Sequence, residues 1–542
     1  MNLPNGPQLL FFLKEDVYFE PLVHNWYVWP YLLPPVTAAM NLTGRNLRLM
    51  KSFVANSHLH LAASRTAGLA GGDFVNCTQE QVEEVRALIE DLEVQHCDYF
   101  AIREAVTELN ALLERQSGLS MEGLYNQVPA MLRGYVELVY DMNHHASFRL
   151  IEGLLYSGSL YKRSAQSIRL GSLSAVKTRP FVLSSPRLPD SNHLHLAVAL
   201  EDRRLDTLFA MRTTPASWPV IDKLFAGVER KGGLSLDSLF TEIAPRRVHQ
   251  RITSGVRVSF LGHAGLMIET PRIAILVDPV IAYRDGVHDD DIISFSELPH
   301  FIDYICITHT HMDHTCIETL LQLRGRVGRV LVPKNGGGDI ADPSIKLMLQ
   351  ALGFSVLEFE DMERLPCADG HITAIPFLGE HADLRIRSKT AWHFELQGRK
   401  ILSGADSSSL DDALYRRIHE HIGNLDLLFI GMECVGAPMS WLYGSLFTKA
   451  IPRAINESRR FNGANFASAR ALIEIFEPSE VHVYALGMES WYAYFMGIHY
   501  DEQARQIVES DELLRFCAER HITAGRLIAR RTWELTASEG KQ

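Results

Sequence analysis

Residues 308–314, Thr308-His309-Thr310-His311-Met312-Asp313-His314, constrain this chain more than any other stretch. Four metal-binding side chains fall within six positions, directly after a short apolar run at 304–307 that reads as a strand. Alternate residues on an extended segment share a side, so His309 and His311 can grip one ion. Asp313 and His314 then turn away and can serve a second. Imidazoles with a carboxylate suit iron, manganese or zinc.

The texture around this motif shows what carries it. From about 256 onward, short β-branched runs recur between Gly, Pro and Asp: 256–261, 266–268, 273–277, 330–332, 372–375, 392–396, 400–402, 427–430 and 481–484. Each reads as a strand. Helical patterns lie between them at 316–323, 343–352, 410–421, 464–476 and 503–520. Interleaved strands and helices predict sheets covered by helices, and ten or more strands favour two stacked sheets over one.

Residues 1–245 differ. An aromatic start, Trp26-Tyr27-Val28-Trp29-Pro30-Tyr31, is expected to pack on a surface without regular structure. Residues 78–116 show apolar positions at steps of three and four, with Thr78 and Gln81 in capping-box spacing. A further helix is expected over 121–142. This half holds no catalytic motif, and His144-His145 and His193/His195 read as structural. A boundary is expected at 245/246, near Pro245-Arg246-Arg247. A chain of 542 residues is too long for one compact domain.

Composition narrows the partners. The formal charge is −12, which argues against nucleic acid. Seven scattered cysteines without a CxxC pair argue against a disulfide framework and fit a reducing cytoplasm. The apolar run 9–13 is too short for a signal segment, and no run of membrane-spanning length occurs.

The motif resembles the metal-binding segment of the metallo-β-lactamase superfamily. The resemblance extends over about 255–535. Phe260-Leu261-Gly262-His263-Ala264-Gly265 is similar to its first-strand segment, and Leu276-Val277-Asp278-Pro279 to its early bracing aspartate. Ser403-Gly404-Ala405-Asp406 is similar to the strand end whose aspartate bridges both metals. The fold implied is an α/β protein, a C-terminal αββα sandwich (246–542) preceded by a helix-rich N-terminal domain (1–245). Two positions depart from the hydrolases of the superfamily. At Gly379-Glu380-His381, Glu380 and His381 compete for the place of the third ligand histidine. After the strand at 481–484, Ala485 stands where a final histidine is usual, with His482 three residues too early.

A glutamate gained and a histidine lost make a carboxylate-richer, more open site, which suits iron better than zinc alone. The set His309, His311, Asp313, His314, Glu380 and Asp406 resembles that of the diiron β-hydroxylases of nonribosomal peptide assembly lines. Tyr484-Ala485-Leu486-Gly487-Met488-Glu489-Ser490-Trp491 is similar to that group too. The resemblance implies two oxo-bridged irons, with Glu380 and Asp406 as the catalytically distinctive ligands. It implies dioxygen as co-substrate and an external electron donor. The partner implied is a peptide synthetase carrier (thiolation) domain bearing an aminoacyl-phosphopantetheine, whose amino acid is hydroxylated at Cβ. Asp278 and His263 are expected to support the ligands, and the loop 436–444, Glu433 and Glu489 to lie nearby. The N-terminal domain is expected to serve carrier docking or a homodimer. An acidic carrier needs a basic patch, for which paired arginines such as Arg246-Arg247 and Arg459-Arg460 are candidates. The alternative is a dizinc hydrolase of an ester, lactone or phosphodiester, working through a metal-bound hydroxide.

Overall fold

The computed structural model describes residues 9–69, 71–176, 179–497 and 500–537. Its C-terminal half stacks two seven-stranded sheets. The first runs Val356–Phe359, Val327–Pro333, Ile302–Cys306, Ala274–Val277, Gly265–Glu269, Val256–Gly262, Arg531–Leu535 in spatial order. The second runs Arg364–Cys367, Gly370–Ile375, Ala391–Leu396, Arg399–Ser403, Leu427–Gly431, Glu480–Tyr484, Thr523–Arg526. Each sheet is antiparallel at one end and parallel at the other. A parallel return needs a crossover, and helices supply it for every consecutive parallel pair except Ala274–Val277 to Ile302–Cys306, which crosses through a long loop with one 3-10 turn.

The inner faces meet over a core that includes Val258, Phe260, Ile268, Ile275, Trp392, Phe394, Phe429 and Trp533. Helices Asp412–Ile422, Phe466–Phe476 and Arg505–Glu519 cover the outside of the second sheet. Strands buried on both faces read in sequence as continuous apolar runs, which is why they were legible there. The expected αββα sandwich is the observed one.

The N-terminal half is helical where the periodicity places helices. Val82–Gln95 and Cys97–Leu113 are consecutive helices separated at His96, and Thr78 and Gln81 close the capping box. It also holds a five-stranded antiparallel sheet that the sequence reading did not foresee. Its order is Trp26–Tyr27, Val17–Val23, Gln166–Ser172, His193–Leu196, Arg230–Lys231. The helix expected over 121–142 is absent. Pro129 and Gly134 interrupt it, leaving short 3-10 turns at Glu122–Gln127 and Ala130–Leu132, then the hairpin Val136–Tyr140/Ala146–Leu150. The aromatic start is buried core, not surface dressing: Trp26, Tyr27, Trp29 and Tyr31 are all at most 5% exposed.

One apolar core runs through both halves. It includes Tyr27, Tyr31 and Phe53 from the first and Leu320, Leu349 and Tyr443 from the second. A buried charge cluster crosses the same seam. Glu20 meets Arg169, Arg179 and Arg187, and Arg179 reaches on to Glu318 at 2.8 Å. All seven cysteines are unpaired. No helix among the described residues is long and apolar enough to cross a membrane.

Candidate metal centre

The motif loop leaves the strand Ile302–Cys306 and is fixed from both sides. Ile307 N–H donates to Leu331 O, Thr390 N–H donates to Thr308 O, and the Trp392 indole N–H donates to Ile307 O. Thr315 Oγ1 donates to His309 O at 2.6 Å. The loop is therefore pinned at the mouth of the sandwich, with His309, His311 and His314 at most 5% exposed.

The structure brings all six expected ligands to one place. His311 Nδ1 lies 2.7 Å from Glu380 Oε1. Asp406 Oδ2 sits between two imidazoles, 3.6 Å from His309 Nε2 and 3.0 Å from His314 Nε2. Asp313 Oδ2 is 3.8 Å from His314 Nε2. The donors fall into overlapping groups, His309/His311/Glu380 and His309/His314/Asp406, with a third, His263/Asp313/His314, beyond them. The groups are linked through His309 and His314, with the Asp406 carboxylate in the middle one, so the string has room for more than one cation.

The residues fit a bound cation, and their imidazole and carboxylate donors suit iron. His309 Nε2, His314 Nε2 and Asp406 Oδ1 are buried with no hydrogen-bond partner. Buried polar atoms are rarely left so, and several facing one space call for a cation. Glu380 and Asp406 are buried and Asp313 is half-buried beside them, and carboxylates gathered in this way cost heavily unless positive charge neutralises them. Burial holds the His309 imidazole well below its ordinary value, in the neutral form that metal binding requires. Burial pushes the Asp313 carboxyl up, but His314 and His263 outweigh it and hold it well below the usual carboxylate range.

Supporting residues fix the rings. Asp278 accepts from Thr308 N–H at 2.7 Å and Thr308 Oγ1 at 2.5 Å, and faces His314 Nδ1 at 2.7 Å. This turns His314 Nε2 toward the carboxylates. His263 Nε2 meets Asp313 Oδ2 at 2.9 Å, while the His263 N–H donates to Glu489 at 2.6 Å. Both supporting positions expected from sequence are thus occupied, and Glu489 acts one step further out. Tyr443, from the loop 436–444, brings its hydroxyl to 3.3 Å from His311 Nε2. Tyr31 of the N-terminal half packs edge-on against Tyr443, 5.6 Å between centroids, and faces Thr310 Oγ1 of the motif at 3.4 Å.

Several strand ends at the site turn through left-handed backbone without glycine: His263, Asp278, Glu380, Ala405 and Ala485. Such residues cost about 1–3 kcal/mol each and persist where surrounding structure imposes them. Tyr484 helps impose one, its hydroxyl meeting Ser403 Oγ at 3.0 Å and accepting from Ala405 N–H at 2.9 Å.

Other candidates separate. His381 stacks on His311 at 4.6 Å with both nitrogens unpartnered, so it walls the site without joining a three-donor group. His482 lies away from the site, packed on Trp533 at 4.6 Å and Phe429 at 5.6 Å. Glu433 is spent on the Val435 and Gly436 N–H groups, Gln506 and Tyr500. Sequence reasoning missed the roles of Tyr31 and Tyr484, which depend on approach across the fold.

Residues 12–244 match the family model described as diiron non-heme β-hydroxylase N-terminal domain, and residues 274–442 match that of a β-lactamase superfamily domain. The chain is 36% identical over 533 residues to the Streptomyces venezuelae 3-hydroxylase of 4-amino-L-phenylalanyl-CmlP peptidyl-carrier protein, covering 96% of this chain and 99% of that one. Among solved structures it resembles CmlA, a diiron β-hydroxylase from the same organism. That match has 35% identity, a TM-score of 0.89, and covers 97% of this chain and all of the other. A mutant of CmlA matches with a TM-score of 0.88.

Proposed function

The chain belongs to the diiron non-heme β-hydroxylase family, and on that premise we propose that it hydroxylates the β-carbon of an amino acid held as a thioester on a nonribosomal peptide synthetase carrier domain. The observation that carries the reading is Glu380. Its carboxylate, at 2.7 Å from His311, stands where a hydrolase of the wider superfamily offers a third histidine. Ala485 at the last strand end withholds a fourth.

His309, His311 and Glu380 would hold one iron, and His314 and Asp313 the other, with Asp406 reaching both. The bound pair supplies activation of dioxygen, drawing electrons from an external donor. The protein's own residues do the rest. Asp278 keeps the His314 ring aimed by occupying its Nδ1, and such outer partners set ligand orientation and basicity. His263 holds the Asp313 carboxylate, and Glu489 in turn accepts from the His263 backbone N–H. Tyr443 fixes the His311 ring, and Phe377 and Phe461, 6.0 Å from His309 and 5.5 Å from His311, keep water from that side.

We assign catalysis to residues 246–542, and carrier docking or homodimer contact to residues 1–245. Seven unpaired cysteines support a cytoplasmic setting. The test is a carrier domain loaded with aminoacyl-phosphopantetheine, incubated with iron-loaded protein, reductant and oxygen. The expected product carries one added oxygen atom at Cβ by mass spectrometry and NMR. Two bound zincs, with ester hydrolysis that ignores oxygen, would overturn the reading.

A further inference from the structure

The clefts of this protein differ in charge. Four arginines and four carboxylates line the one between residues 246–250 and the edge strand Arg531–Leu535. A second cleft holds Arg65 and Arg179 against the single carboxylate of Asp285, but the Arg179 guanidinium is committed to Glu20 and Glu318, which leaves one cation to one carboxylate. A third, of about 570 Å³, is unbalanced. It opens where the N-terminal helices meet residues 438–456, and four cations line it, Arg45, Arg48, Arg103 and Lys449, against the single carboxylate of Asp73. Arg45 and Arg48 share Asp73 at 2.5 and 2.9 Å, and Lys449 pairs with Glu114 at 2.6 Å. Among the described residues Arg103 meets no carboxylate. Its Nη1 donates to Met40 O at 3.2 Å.

The backbone is shaped around Arg103. Residues Leu42–Asn46 form a π-helical turn between two α-helices, a widening often found at functional sites. Gly44 lies in that turn. A Cβ there would stand 2.3 Å from Arg103 Nη1 and 3.2 Å from Ser445 Oγ, so only glycine leaves the guanidinium its place. Ser445, from the C-terminal half, accepts from Arg45 N–H at 3.2 Å and ties the cleft across the seam.

The cleft also adjoins the metal centre. Trp441 lines it, and two residues further along the same short helix, Ser440–Tyr443, is the tyrosine whose hydroxyl meets His311. Two helical residues span about 3 Å along the axis. Phe447 lines both this cleft and a neighbouring one of about 240 Å³, whose walls include Tyr443 and Leu384, four residues after Glu380.

We propose that the Arg103 cleft binds the phosphodiester of the carrier's phosphopantetheine arm, so that the arm's thioester end runs past Tyr443 to the metals. The inference rests on the carrier-linked substrate proposed above. A guanidinium presents a planar fork of donors to phosphate oxygens, and Arg45, Arg48 and Lys449 add field around it.

Calorimetric titration of the iron-loaded protein with three probes tests this: 4′-phosphopantetheine, pantetheine and inorganic phosphate. The wild type should bind phosphopantetheine about tenfold or more tighter than either of the others, as one charge-assisted contact warrants. Arg103→Gln should abolish that preference. Should Arg103→Gln not fold, the rim double variant Arg48→Gln/Lys449→Gln decides, with a reduced preference expected. Equal binding of phosphopantetheine and pantetheine overturns the proposal. So does inorganic phosphate binding as tightly as phosphopantetheine, or a preference that survives substitution. Hydroxylation of an aminoacyl carrier by a protein indifferent to the phosphate would sink the anchor alone. Phosphate-dependent binding with no hydroxylation of any carrier-bound amino acid would sink the reaction instead.

Discussion

Gly431 closes the strand beside the Asp406 turn, and its N–H donates to Ala405 O at 2.8 Å. A Cβ at this position would stand 2.4 Å from Asp406 Oδ1 and 2.9 Å from Ala405 O. Carbon and oxygen settle no closer than about 3.3 Å, so Gly431→Ala must drive the carboxylate back by about 1 Å. A functional constellation tolerates about 0.5 Å. The displaced group is the one that faces both His309 and His314, so both metal positions lose at once. Iron affinity should fall about tenfold to hundredfold, as when an orienting partner is lost. The overpacked turn should cost about 1–3 kcal/mol of stability. The assay is iron bound per chain after anaerobic ferrous loading and desalting, beside urea denaturation of the metal-free protein. Gly463→Ala is the control, since its Cβ would approach no atom closer than 3.4 Å. A Gly431→Ala protein that holds two irons at wild-type affinity would refute the placement of Asp406 as the shared ligand.

Asp278→Asn should lower iron affinity about tenfold to hundredfold without unfolding the protein, because an amide cannot accept from Thr308 and orient His314 together; equilibrium dialysis measures this. Glu380→Ala should abolish loading of one iron position while His381→Ala spares it, and the reverse result in metal analysis would transfer the ligand role to His381. Glu20→Gln should cost about 3–5 kcal/mol near neutral pH, because it leaves three buried guanidiniums short of their carboxylate. Burial pushes the Glu20 carboxyl up, but Arg187, Arg179 and Arg169 outweigh it and hold it well below its usual range. The Glu20 contribution is therefore full above its unfolded value of about 4.3 and declines as pH falls below that. Urea midpoints of wild type and Glu20→Gln should converge only in that acid window.

Legibility in the sequence followed locality. Four of the six ligands lie in one heptapeptide after a strand, so their spacing alone announced a dinuclear site. Glu380 and Asp406 were reachable only through resemblance, since nothing in their own neighbourhoods distinguishes them from turn residues. Tyr31 and Gly431 left no local signal at all. The first acts across the seam between the halves, the second across adjacent strands, and both depend on which strands become neighbours. The N-terminal sheet was hidden for the same reason. Val17–Val23 pairs with Gln166–Ser172, far along the chain, and buried Arg169 and Glu20 break its apolar pattern.

Tyr31 belongs to the N-terminal half yet stands over the motif loop, and Arg179 of that half holds Glu318 on the helix Ile317–Leu323 just behind the loop. The metal-bearing sandwich therefore does not own all of its inner wall. Cut free at residue 245, it would keep every ligand and lose the packing behind Tyr443, Thr310 and Glu318. Grafting this chemistry onto another member of the superfamily would then mean exporting the partner half as well, and the natural unit of exchange, in the laboratory or in evolution, is the whole chain.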